Sequence, residues 1–385
     1  MPLAMLAAGA IALAWQSSER YRLTPAVAIA IVMAILNSAK LPESDLAWYI
    51  LLYNEAAKLP LSDAIFNASL SVRSTEFVYN TYVHFLASLT GRSSVAFVFT
   101  STFLIYFLAN YAALLYRSHV LKSDERTDDA ALLLLSTTFV FLTFSLSGHL
   151  IRQYLAASMA ALGFALFHRS RTASHLMLAM AVFTHNSCAA LVVPMLAGLH
   201  GGFLFRSILT AYALLTLVVL GAGIPAITAL ETLTSAAATM DDGSIPKPII
   251  VFDCLLFAAT AWVVWRTRQQ SRDRQHEPHR ALIRFGLLWL LTMLASSAVH
   301  FIFFRFYFYI EVLRPLLLAT IVSHASGFVH ARRNAYSTLA LLIALAYFFA
   351  RASTTVWNYG YSLPMLPFKN IFDLVERLAR VAGLN

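Results

Sequence analysis

Of 385 residues, 59% are hydrophobic and only 12% charged, with a mean hydropathy of +0.69. A soluble domain carries about 25% charged residues, so that class is excluded. The net charge of +9 sits in short clusters between apolar runs; this argues against a nucleic-acid partner and for the positive-inside distribution of a membrane protein.

Apolar runs near the roughly 20 residues needed to cross a bilayer recur from end to end and leave no room for a soluble domain. The expected architecture is an all-α polytopic bundle of about 10–12 spans, one membrane domain over residues 1–385. The opening "MPLAMLAAGAIALAW" lacks the positive flank of a signal peptide and reads as a short first span or interfacial helix. After the span "AVAIAIVMAIL" comes a long outer loop, 40 to 92. Within it, 43 to 58 and 76 to 90 combine Trp48, Tyr49, Tyr53, Phe77, Tyr79 and Tyr82 with scattered charge, the composition of helices lying on a membrane surface.

The basic clusters "ERYR" (19 to 22), "HRSR" (168 to 171), "RTRQQSRDRQHEPHR" (266 to 280) and "HARRN" (330 to 334) belong on the cytoplasmic side. Simple counting of spans puts the most basic of them outside, so the chain must turn back between 171 and 266. The segment 176 to 198, interrupted by "THNSC", supplies the turn as a re-entrant hairpin with His185 at its outer tip. Non-helical backbone at that depth requires surrounding protein or a wet cavity. Cys188 and Cys254 lie in apolar sequence and read as packing residues.

This map gathers Asp45, Arg73, Glu76, Arg152, His185 and Arg305 at the outer membrane edge. Ionisable groups there are costly and usually face a cavity or a partner. Each has an ordinary alternative. Asp45 suits a helix N-cap; Arg73 and Glu76 suit a surface pair, with Thr75 and Glu76 opening a helix; Arg152 could snorkel; His185 could be a buried, satisfied histidine. Arg305 and Tyr307 stand in the aromatic stretch "FRFYFYIEV", where anchoring competes with a carbohydrate site of stacked rings and a guanidinium fork for phosphate. Glu311 and Arg314, one turn apart, read as a structural ion pair. The outer loops near Asp45 hold no DxD and the chain no HExxH, P-loop, GxGxxG or serine elbow. The reading is therefore arginine-based chemistry with no metal and no cofactor.

In "DLAWYILLY", "RSTEFVYNTYVHFLASLTG", "LIRQYLAASMAALGFALF", "AVFTHNSCAALVVPML" and "FRFYFYIEV", in that order, the chain resembles the EpsG-like exopolysaccharide polymerases, akin to the Wzy polymerases of O-antigen and capsule synthesis. The resemblance implies a fold similar to the GT-C glycosyltransferases, with interfacial helices of a first outer loop over a lipid-facing cavity. It implies a bacterial inner-membrane enzyme acting on the periplasmic or external side upon polyprenyl-diphosphate-linked oligosaccharide, with membrane lipid and other assembly proteins, a flippase and a chain-length regulator, as partners. By resemblance the "IRQ" arginine is Arg152 and the "H-x-S" histidine is His185. The expected catalytic residues are His185, Asp45 and Glu76; the expected diphosphate and glycan ligands are Arg152, Arg305, Arg73 and Tyr307. Two other functions fit the same residues. A ligase would differ only in its acceptor. A lipid-linked sugar transporter or flippase would place charge near the midplane and often show inverted repeats, but here the charges lie at one face and no repeat is visible.

Overall fold

The structure, a computed structural model, describes residues 23–38, 42, 45–66, 76–120, 150–221, 247–270, 277–296, 306–309, 311, 313–321 and 379. The opening "MPLAMLAAGAIALAW", the run "ALLLLSTTFVFLTFSL", the basic turn 330 to 334 and, apart from residues 247 and 379, the expected outer segments 224 to 247 and 351 to 385 lie outside the described residues. Among the described residues the regular elements are all helical. The chain divides into two compact units: Met1–Cys188 with Glu311–Asn385, and Ala189–Ile310.

In the first unit, α1 (Thr24–Ser38) packs along α5 (Ser94–Leu115), which ends in a π-helical turn, Tyr116–Val120. From Ser94 to Ser118 it is the one helix among the described residues long and apolar enough to cross a membrane. Between α1 and α5 come α2 (Asp45–Ala56), α3 (Leu61–Phe66) and α4 (Phe77–Leu89). At 13 residues, α4 is about 20 Å long, too short for a hydrocarbon core of about 30 Å. It is tied to α2 at two points. The Tyr53 hydroxyl meets that of Thr90, and His84 Nδ1 donates to the Ala56 carbonyl at 2.9 Å. Tyr82, bonded to Ser101 at 2.8 Å, ties it to α5.

α6 (Ile151–Leu166) packs between α5 and α7 (Arg171–Thr184). Its small residues allow close approach: a Cβ at Gly163 would meet Leu178 Cγ at 2.8 Å, and Ser174 Oγ donates to the Gly163 carbonyl at 2.7 Å. Small residues at such seams let helices gain van der Waals contact where lipid offers no hydrophobic drive. Ser170 caps α7 by accepting from Ala173 N–H. The apolar run then breaks at His185, whose backbone is extended at φ −153° and ψ 111°. A 3-10 turn, Asn186–Cys188, follows.

The second unit holds α8 (Ala189–His200), α9 (Gly202–Gly221), α10 (Lys247–Gln270) and α11 (Glu277–Ser296), with helical residues at 306–309. α8 and α9 both lie on α11, and Arg284 Nη1 reaches the Gly198 carbonyl near the end of α8 at 3.1 Å. Across the described helices large apolar side chains face outward, among them Trp48, Phe85, Phe203, Leu217, Leu255, Trp262 and Trp265. A water-soluble monomer seldom exposes so many, whereas lipid accepts them. Cys188 is buried, as a packing residue should be, but Cys254 is exposed: it shares the outward face of α10 with Leu255, so its apolar setting reflects that surface and not a core.

Candidate functional site

Glu76 ends the irregular stretch before α4 and occupies that helix's N-cap position, yet its side chain makes no capping bond. Its carboxylate turns inward, leaving the residue 4% exposed. One oxygen, Oε2, accepts from Arg152 Nη1 at 2.7 Å. The other, Oε1, is 2.5 Å from His185 Nδ1 and 3.4 Å from the Asn186 backbone N–H, which donates to it. Three separate stretches thus meet on one carboxylate: the start of α4, the first turn of α6 and the break after α7.

At 4% exposure Glu76 does not fit its ordinary alternative as a surface residue. Burying a carboxylate without a partner is costly, and the partners it has here lie far away in sequence. Arg152 opens α6, and its side chain is only 17% exposed. Its Nε lies 3.5 Å from the Tyr49 hydroxyl, and its guanidinium stands 5.4 Å and 5.8 Å from the ring centroids of Tyr49 and Tyr79. Such cation–π contacts add attraction as water is removed. The sequence reading placed both tyrosines on membrane-surface helices and neither among the site residues. The signal was helical spacing: Tyr49 lies one turn beyond Asp45, and Tyr79 one turn beyond Glu76. Burial pushes both phenols up from their ordinary value, Tyr79 further than Tyr49, so both stay neutral at physiological pH. On the outward side Phe77, next to Glu76, and Phe183, two residues before His185, pack ring to ring at 5.0 Å.

Asp45 begins α2, half-buried, on the face that carries Tyr49, and makes no hydrogen bond to Glu76, Arg152 or His185. Arg73 and Arg305 lie outside the described residues. Tyr307 belongs to the second unit, where it is 3% exposed and its hydroxyl donates to Asp253 Oδ2. Glu311 and Arg314 form the expected ion pair at 3.4 Å, and Tyr154 donates to the same glutamate at 2.8 Å.

Chemically the cluster joins an imidazole and a guanidinium through one carboxylate. The contacts above use the Nε and Nη1 side of Arg152; the guanidinium carries further N–H donors on Nη2. The EpsG family model matches residues 24–370. The chain belongs to the EpsG family. No curated protein and no solved structure matches it. The EpsG family is membrane-associated and linked to glycan polymerisation in exopolysaccharide synthesis, and its match spans every helix described here from α1 to α11.

Proposed function

We propose that the protein is a polysaccharide polymerase that joins polyprenyl-diphosphate-linked repeat units at the outer face of a bacterial inner membrane. The observation that carries this reading is the meeting of Glu76, Arg152 and His185 on one buried carboxylate in a member of the EpsG family. The fold that goes with it is a multi-pass bundle similar to the GT-C glycosyltransferases. In it α2 and α4 lie on the membrane surface, and the segment 176 to 198 is a re-entrant hairpin that turns at the break after α7. The lengths of α7 and α8, 14 and 12 residues, support this, since each helix alone is about 20 Å or less and falls short of a full crossing.

In the proposed reaction a hydroxyl of one lipid-linked glycan attacks the anomeric carbon of another. A bond forms between that oxygen and the carbon; the bond from the carbon to the diphosphate oxygen breaks, and its electron pair leaves with the polyprenyl diphosphate. His185 takes the hydroxyl proton, a general-base role for which imidazole is the commonest side chain. Arg152 faces the diphosphate as negative charge builds there, and preorganised donors aimed at developing charge lower a barrier most. Arg73 and Arg305 are the further diphosphate ligands, and Asp45 the reserve base.

The alternative is a ligase, which would use the same donor and the same leaving group. Glycan analysis of a deletion strain separates the two. Loss of the polymerase leaves single repeats on the usual acceptor, whereas loss of a ligase leaves full-length chains on the lipid carrier.

A further inference from the structure

We infer that Glu76 acts through His185 and not on the substrate: it is a positioning residue that fixes the proton on Nδ1 and leaves Nε2 as the nitrogen that takes the hydroxyl proton. The inference rests on the polymerase reading above and names how its site is set.

A carboxylate only accepts hydrogen bonds, so the contact between Glu76 Oε1 and His185 Nδ1 requires the hydrogen on Nδ1. The neutral ring then carries its lone pair on Nε2. Which nitrogen is protonated follows from the bond the other makes. The carboxylate itself is held from both sides. Arg152 takes Oε2, and the Asn186 backbone N–H donates to Oε1 beside His185. The histidine is also fixed through its backbone, where its N–H donates to the Ala181 carbonyl at 3.1 Å as α7 ends. Glu76 is 4% exposed and has both oxygens engaged, so it is poorly placed to receive a substrate proton. When Nε2 takes the hydroxyl proton, the new imidazolium lies directly against the Glu76 carboxylate, and its charge is stabilised where it forms. The ordering of parts is Tyr49 and Tyr79 against Arg152, Arg152 against Glu76, and Glu76 against His185.

The test uses the full-length protein in lipid nanodiscs, supplied with lipid-linked repeats extracted from a strain that lacks it. Three variants are compared, Glu76→Gln, Glu76→Asp and His185→Gln, together with the double variant Glu76→Gln/His185→Gln. Glutamine can offer His185 either an acceptor or a donor, so it keeps the shape and loses the choice of tautomer. In the serine-protease triad the corresponding amide change costs about 10⁴-fold. Here Glu76→Gln is expected to lower kcat by at least about 100-fold with KM within about three-fold. Glu76→Asp, which keeps an acceptor-only carboxylate, is expected to recover part of that loss, and the double variant should be no slower than His185→Gln alone. Solid-state NMR of ¹⁵N-histidine should show the His185 proton on Nδ1 in the wild type and no longer confined there in Glu76→Gln, a readout that a merely structural glutamate would not move.

The inference is overturned if the two losses multiply in the double variant, since Glu76 would then act on the substrate directly. It is also overturned if Glu76→Gln raises KM and spares kcat, or if both Glu76 variants are equally inert because neither reaches the membrane folded while NMR finds the wild-type proton on Nε2. Full activity of His185→Gln would instead remove the histidine from the reaction and take the polymerase site reading with it.

Discussion

Two acidic side chains are buried to the same degree, Glu76 in the first unit and Asp253 in the second, each 4% exposed, and the hydrogen bonds described for them differ. Glu76 is shared between a guanidinium, an imidazole and a backbone N–H drawn from two other stretches of chain. Asp253, on α10, accepts from the phenol of Tyr307, a neutral group on a helical stretch of the same unit. Burial of an acid therefore does not mark a site. What distinguishes Glu76 is convergence on groups that can carry or release protons, the arrangement found where pKa values are set for chemistry. A bond like that of Asp253 to Tyr307 joins helices, as polar bonds between membrane helices commonly do.

The largest expected effect is at the first of these acids' partners. His185→Gln removes the proposed base and should lower polymerisation by about 10²–10⁴-fold, read as glycan chain length at normal membrane levels of the variant. Near-normal chains would put Glu76 in the same class as Asp253. Next comes Tyr307→Phe, which takes a donor from a buried carboxylate and should cost about 1–3 kcal/mol, visible as a lower Tm in detergent; an unchanged Tm would mean the bond joins nothing. Gly163→Ala sharpens the contrast in packing. Its new Cβ would meet Leu178 Cγ at 2.8 Å and the Ser174 carbonyl at 3.2 Å, and overpacking of this kind costs about 1–3 kcal/mol. Because α6 and α7 carry Arg152 and the approach to His185, chain length should shorten along with Tm. The smallest effect is expected of Arg92→Lys on the turn between α4 and α5. It is an exposed arginine away from the cluster, so stability should move by less than about 0.5 kcal/mol and chain length should not change.

Some of this was legible in the sequence for physical reasons. Hydropathy reports where an apolar run is too short or is broken, so the anomalies at 76 to 90 and 176 to 198 pointed to α4 (Phe77–Leu89) and to the interruption at His185. Local spacing was legible too, as Glu311 and Arg314 show. The partner of Glu76 was not. Arg152 lies 76 residues away and His185 109, and a contact made by helix packing leaves no periodic trace. Arg73, three residues from Glu76, was the only basic partner that spacing could suggest. Tyr307 shows a further limit of composition: a run of aromatics suggests stacking on sugar, but spacing cannot tell an exposed ring from one buried beside Asp253.

Topology offers a separate check on the proposed hairpin. A cysteine at Asn186 should react with an impermeant reagent from outside, while cysteines at Arg171 and Gly201 should not. Equal labelling at Gly201 would make the segment an ordinary crossing.

The central claim is that Arg152, held by Glu76, serves the leaving diphosphate and is not merely an anchor at the membrane edge. Its most direct test is glycan chain length in a strain whose only copy carries Arg152→Lys. Lysine keeps the charge and can still anchor, but it lacks the planar fork that can grip Glu76 on one side and phosphate oxygens on the other. Loss of one such charge-stabilising donor predicts a fall of about 100–1,000-fold and therefore mostly single repeats at normal membrane levels of the protein. Chains of near-normal length at those levels would contradict the account and leave Arg152 as an anchor.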